Sequence, residues 1–198
     1  MDLRGRLNKS PFTFFLVKFV ALYALLYFFN VAFIGITSPS NYYNSFLDRH
    51  LDYIDLLRGA VLQVSRLLTS LSGFNTRIEE PYLLRIEAGP GVKMVYSCIG
   101  YGIMSLWTAF VIAYDGRVKR KILWALMGCF CIFLINCLRV SVLLIALAKK
   151  WNVNEYLDHH TMFNIVSYIL IFLMMYLYTN RTTSIEHSPG LDSRRDSP

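Results

Sequence analysis

Four long apolar runs divide the chain, with charge returning between them. Phe12 to Thr37 is interrupted only by Lys18, and Ile99 to Tyr114 is about 16 residues long. Ile122 to Ala148 holds one charge, Arg139, and Met162 to Thr179 is the last run. A helix needs roughly 20 predominantly apolar residues to cross the hydrocarbon core of a bilayer. The pattern therefore predicts an all-α polytopic membrane protein with about four transmembrane helices, at about 12–37, 99–114, 122–148 and 162–179. The second reaches that length only with its flanks. The first is longer than a signal-peptide core and no small-residue cleavage site follows it, so it reads as a retained span.

The 38–98 segment between the first two runs has a different pattern. Over 51–72, Ile54, Leu57, Val61, Val64, Leu68 and Leu71 recur at spacings of three and four, amid Asp52, Asp55, Arg58 and Arg66. This predicts an amphipathic helix lying on the membrane or packed on the spans, rather than crossing. "LLRIE" and "VKMVYS" flank Ala88-Gly89-Pro90-Gly91, which predicts a short β-hairpin leading to Cys98. Residues 181–198 are polar with two prolines and read as a disordered tail. Residues 1–180 then form one integral-membrane domain.

Composition agrees with the runs: 55% of the 198 residues are hydrophobic. The formal net charge is +7. In a soluble protein this would raise nucleic acid as a partner, but here the basic residues flank apolar runs and read as topology determinants, with the lipid bilayer as the partner. Arg4, Arg6 and Lys9 precede the first run, "DGRVKRK" joins the second to the third, and Arg181, Arg194 and Arg195 follow the fourth. With all three clusters cytoplasmic the four spans alternate, and 38–98 and 149–161 face outward. Lys149 and Lys150 are the exception. The expected location is a membrane crossed several times.

Against this topology Arg139 stands out. An arginine near the centre of a membrane helix costs roughly 2.5–3.5 kcal/mol on insertion scales, so a partner or a task is usually involved. It lies nine residues from the outer end of its run, about 14 Å below that end. Cys98 enters the second span at its outer end, and His159 and His160 begin the fourth at the same face. A thiol, a guanidinium and an imidazole at one depth suit nucleophilic acyl transfer. The cation lowers the thiol pKa or holds an oxyanion, and the histidine moves protons. Asn136, one turn deeper than Arg139, is placed to orient it or to pack against another helix.

Each residue also has a plainer reading. A lone cysteine is most often a small buried hydrophobe, and Cys129, Cys131 and Cys137, inside a span without a nearby base, are assigned to that class. Histidines at a helix start are often only interfacial. Only Cys98 is expected at the outer face, which argues against an intramolecular disulfide. Cys98, His159, His160 and His50 supply possible metal ligands, but zinc-type spacing is missing and Arg139 would repel a cation, so no metal is expected. There is no GxSxG elbow for serine chemistry.

At these residues the sequence resembles the exosortase/archaeosortase family of multi-span transpeptidases. The matching stretches are "VYSCIGYGIMSLWTAFVIA", "INCLRVSVLLIAL" and "DHHTMFNIVSYILIF", which together cover most of residues 84–178. The resemblance maps the family's nucleophile onto Cys98, its arginine onto Arg139 with Asn136 in an Asn-x-x-Arg context, and its histidine onto the His159-His160 pair. His159 is preferred, because His160 would stand where the family often has an acidic residue. Ile99 replaces the serine of the family's frequent Cys-Ser-Gly. The resemblance implies a cofactor-free enzyme whose substrates are exported proteins with a C-terminal tail of recognition motif, hydrophobic helix and basic cluster. Such an enzyme cleaves near the outer face through a thioester and passes the chain to an acceptor nucleophile. The competing expectation is a non-catalytic membrane subunit of a protein- or polysaccharide-export assembly, with Arg139 paired to Glu79, Glu80 or Glu87. A small transporter ranks last, since the spans hold few charges and no broken helix pairs.

Overall fold

The computed structural model describes residues 11–38, 46–47, 51–79, 81–150 and 159–186. The first apolar run forms a single helix, α1 (Pro11–Thr37). After it come α2 (Tyr53–Leu71), strands β1 (Thr76–Glu79), β2 (Leu83–Ile86) and β3 (Gly91–Lys93), and a 3₁₀ turn at Tyr96–Cys98. The helices α3 (Tyr101–Ala113), α4 (Val118–Ala148) and α5 (His159–Glu186) complete the order. Among the described residues, α1 over Phe12–Thr37 and α4 are long and apolar enough to cross a membrane. The 13 residues of α3 rise only about 20 Å, short of a ~30 Å hydrocarbon core, and the apolar part of α5 is Ile165–Arg181. Of the expected disordered tail, 187–198 lies outside the described residues, whereas α5 runs through Arg181 to Glu186.

Aromatic packing joins the helices. Phe15 and Phe19 of α1 meet the Phe110 ring of α3 edge-on, at 5.9 and 6.0 Å between centroids. Higher up, Tyr27 lies 5.9 Å from Tyr101. Trp107, fully buried on α3, donates its indole N–H to the Trp124 carbonyl of α4 at 3.1 Å. The approach is close because Gly128 lies under the indole, where a Cβ would collide with the ring nitrogen. Tyr178 of α5 closes this end of the bundle against Trp107, Phe110, Tyr114 and Trp124. A polar bridge crosses the other end. Tyr53 of α2 donates to the Asn30 side-chain oxygen (2.8 Å), and the Asn30 amide lies 3.3 Å from the Ser105 hydroxyl of α3.

The amphipathic helix exists with Ile54 and Val61 of the predicted stripe buried and Leu57, Val64 and Leu68 half-buried, but the buried face is rotated towards Arg58, Leu62, Ser65 and Thr69. Asp52 caps α2, accepting from the Asp55 N–H at 2.9 Å. The buried residues are Ile54, Arg58, Val61, Leu62, Ser65 and Thr69, while Leu71 is 76% exposed. The reason is the partner surface, since α2 packs along the later half of α4. There Ser65 donates to the Cys137 carbonyl (3.1 Å), and the Ser141 hydroxyl is 3.1 Å from the Ser65 carbonyl. Small hydroxyl residues let two backbones approach and satisfy each other's carbonyls, which leucines cannot do. Leu56, Leu67 and Leu71 are left exposed on the far side.

The expected hairpin is β2 and β3, paired antiparallel around 87–90 with Leu84 opposite Val92. The spacing did not predict β1, which pairs with β2 (Ile78 opposite Leu84) and makes a three-stranded meander. Its inner residues Leu84 and Ile86 join Val61 and Leu62 of α2, Cys137, Val140 and Leu144 of α4, and Met94 in one buried cluster.

Candidate active site

Cys98 ends the 3₁₀ turn, its N–H bonded to the Val95 carbonyl at 2.9 Å. The chain then passes Ile99, fully buried, and Gly100, whose φ of +86° lies in the left-handed region. Asn136 fastens this turn to α4. It is 3% exposed, and its amide donates to the Ile99 carbonyl at 2.8 Å. Gly100 is needed here for two reasons: its backbone conformation suits glycine, and a Cβ would run into the Asn136 amide nitrogen. The Asn136 of the sequence motif is therefore a clamp on the Cys98–Gly100 turn.

Arg139, one turn along α4, is half-buried and opens onto a cavity of about 350 Å³. Tyr23 and Tyr27 of α1, Gly100 and Tyr101 at the start of α3, Asn136, and Tyr168 of α5 are among its lining residues. Cys98 is half-buried and packs against the cluster that includes Met94, Cys137 and Val140. The Asn136–Ile99 bond thus ties the turn that bears Cys98 to the stretch of α4 that bears Arg139. Glu79, offered as a partner for Arg139, is held instead by Arg77 (2.8 Å) and Arg85 (3.0 Å). Glu80 and His50 lie outside the described residues.

The side chains of His159 and His160 also lie outside the described residues, but their backbone begins α5. Two contacts set that helix antiparallel to α4. The rings of Tyr178 and Trp124 are 5.4 Å apart, and Tyr168 shares a cavity with Arg139. Following either contact along both helices, the histidine backbone lies about one to two and a half turns beyond the level of Arg139, roughly 5–14 Å.

A second arginine enters where the sequence reading had counted only an amphipathic face. Arg58 of α2 is 6% exposed. Its Nε and Nη2 donate to the Met94 carbonyl at 3.1 and 2.5 Å. The guanidinium sits 3.4 Å from the Tyr82 ring centroid and 4.7 Å from that of Tyr96. Ser38, just past α1, donates to the Tyr96 hydroxyl at 3.0 Å. The Tyr82 hydroxyl is hydrogen-bonded to the Asp55 carboxylate, which together with burial pushes its pKa up to about 12. The available signal was positional: Arg58 falls in register with Ile54, Val61, Leu62 and Ser65 on one helical stripe.

All four cysteines are free thiols. Among the described residues, no group of three or more His, Cys, Asp or Glu side chains is arranged to hold a metal ion. The chain matches no protein-family model, no curated protein and no solved structure.

Proposed function

We propose that the chain is a membrane-embedded cysteine transpeptidase of the exosortase/archaeosortase kind, acting at the outer face of a bacterial cytoplasmic membrane on the C-terminal tails of exported proteins. The observation that carries this reading is the 2.8 Å hydrogen bond from Asn136 to Ile99. It couples the turn bearing Cys98 to the helix bearing Arg139, and so ties together the segments that carry a thiol and a cation in distant parts of the chain.

Helix lengths support the membrane placement. The 31 residues of α4 rise about 46 Å, some 16 Å more than a ~30 Å hydrocarbon core. Starting from the basic residues Arg117 to Lys121 at the inner surface, the core ends near Ser141 and the last turns protrude. Arg139 then lies just beneath the outer boundary, where its side chain can reach polar surroundings. The exposed leucines of α2 suit a helix set against the outer leaflet. The 13-residue α3 and the apolar stretch Ile165–Arg181 of α5 complete four crossings when their flanks are included.

In the proposed reaction Cys98 is the nucleophile. The thiolate attacks the scissile carbonyl, and the oxyanion is held by the Arg139 guanidinium. Collapse breaks the C–N bond. The proton taken from the thiol by His159, or by His160, goes to the departing amine of the tail, leaving a thioester. An acceptor nucleophile attacks that thioester, returns the sulfur and carries the protein away. No cofactor takes part.

The packing of Cys98 against the apolar cluster favours a second reading, a non-catalytic subunit of a protein- or polysaccharide-export assembly. Two measurements separate them. Under the enzymatic reading, Cys98→Ala halts maturation of co-expressed proteins ending in motif, hydrophobic helix and basic cluster, while the variant accumulates normally. Cys98 should also react from outside with an impermeant thiol reagent faster than an ordinary thiol at neutral pH. Unchanged maturation by Cys98→Ala rules out the enzyme, and an inert Cys98 supports the assembly subunit.

A further inference from the structure

We propose that Arg58 is a positioning residue for the Cys98 thiol, acting through the Met94 carbonyl and the ring faces of Tyr82 and Tyr96; the inference rests on the cysteine chemistry proposed above. A guanidinium 6% exposed must have its charge met by fixed groups. Here two of those groups, the Met94 carbonyl and the Tyr96 ring, belong to the short stretch that leads into Cys98. The third is the Tyr82 ring, on a residue held at φ +62°. A left-handed backbone at a bulky residue persists only where its surroundings hold it, and the guanidinium over the Tyr82 ring does so here.

The result is a latch between α2 and the 3₁₀ turn, built independently of the Asn136 clamp. Asn136 holds the turn just after Cys98, and Arg58 holds it just before. With both ends fixed, the backbone that carries the sulfur is held in place relative to Arg139 by the fold. Lysine cannot replace Arg58 in this role. An ammonium has no planar face to stack between two rings and no fork of donors to share one carbonyl.

The test reads the electrostatic surroundings of the sulfur, not turnover. The full-length chain in its native membrane is treated from outside with two impermeant methanethiosulfonates, one bearing a sulfonate and one a trimethylammonium, with Cys98→Ser subtracted as background. Near Arg139 the parent thiol should react about fivefold or more faster with the anionic reagent. Arg58→Lys conserves charge, so a merely structural role leaves that ratio in place. A positioning role moves it toward unity by about threefold or more. Tyr82→Leu should move it likewise, whereas Tyr82→Phe, which keeps the ring, should match the parent. If Arg58→Lys fails to accumulate, Tyr96→Leu supplies the same comparison. Ratios within about twofold of the parent in Arg58→Lys and Tyr82→Leu overturn the proposal, or in Tyr82→Leu and Tyr96→Leu where Arg58→Lys does not accumulate. Normal maturation by Cys98→Ala would overturn the enzymatic reading instead, without touching these ratios.

Discussion

The Asn136–Gly100 contact yields a quantitative prediction, because the two residues can be altered separately and together. Asn136→Ala removes the donor to a buried carbonyl at 2.8 Å, and leaving such a group unsatisfied costs about 1–3 kcal/mol. Gly100→Ala introduces two penalties. A non-glycine residue at φ +86° costs roughly 1–2 kcal/mol. The added methyl meets the Asn136 amide nitrogen, and overpacking of that kind costs about 1–3 kcal/mol. In the double variant the amide is absent, so the steric penalty vanishes while the backbone penalty remains. The combined loss should fall short of the sum of the single losses by about 1–3 kcal/mol. The assay is reversible unfolding of the purified chain in detergent micelles, followed by helical circular dichroism for all four proteins of the cycle. Losses that add within about 0.5 kcal/mol would mean the two groups do not touch, and the clamp would be lost with them.

Other predictions address separate parts of the molecule. Arg139→Lys should leave accumulation intact but abolish most tail maturation, since an ammonium does not reproduce the planar fork of donors; parent-like maturation would remove Arg139 from the chemistry. Gly128→Ala should destabilise the chain by about 1–3 kcal/mol through overlap with the Trp107 indole, and Trp107→Phe in the same chain should recover part of that loss in the unfolding assay. The Tyr82 hydroxyl, bonded to Asp55 and partly desolvated, holds its proton to about pH 12 in the folded chain against an ordinary 10.0. Its contribution to stability is complete below pH 10 and lost as pH rises toward 12. Tyr82→Phe should flatten stability over that interval, and the phenolate absorbance missing from the variant should be the component that titrates last.

Much of the architecture was legible because hydrophobic periodicity is local. The long apolar runs at Phe12–Thr37 and Ile122–Ala148 became single helices, and Ala88-Gly89-Pro90-Gly91 turned the chain between two strands. In α2 the apolar stripe located the buried face only in part, since Ile54 and Val61 are buried but the face is rotated from the stripe's centre. Leu71 belongs to that stripe and is exposed, while Arg58, Ser65 and Thr69 are buried. Asn30, inside the first apolar run, attracted no notice until its bonding range to Tyr53 and Ser105 linked three helices. Strand β1 was missed because four residues carry too little alternation to register, and its pairing with β2 supplies the stabilisation its own sequence lacks.

For the candidate site, spacing alone led to the expectation of Cys98, Arg139 and the histidine pair on separate elements near one depth, because helix rise converts residue number into height at a nearly constant rate. Rotation about the helix axis is another matter. Which way Cys98 faces, that Asn136 holds the Ile99 carbonyl, and that Arg58 stacks between Tyr82 and Tyr96 all depend on how helices and sheet press together. Those contacts join residues 24 or more positions apart, and their energies belong to pairs, so they have no trace in the pattern of either segment taken by itself. Height along a helix is written in one stretch of chain, whereas direction around it is decided by the neighbours.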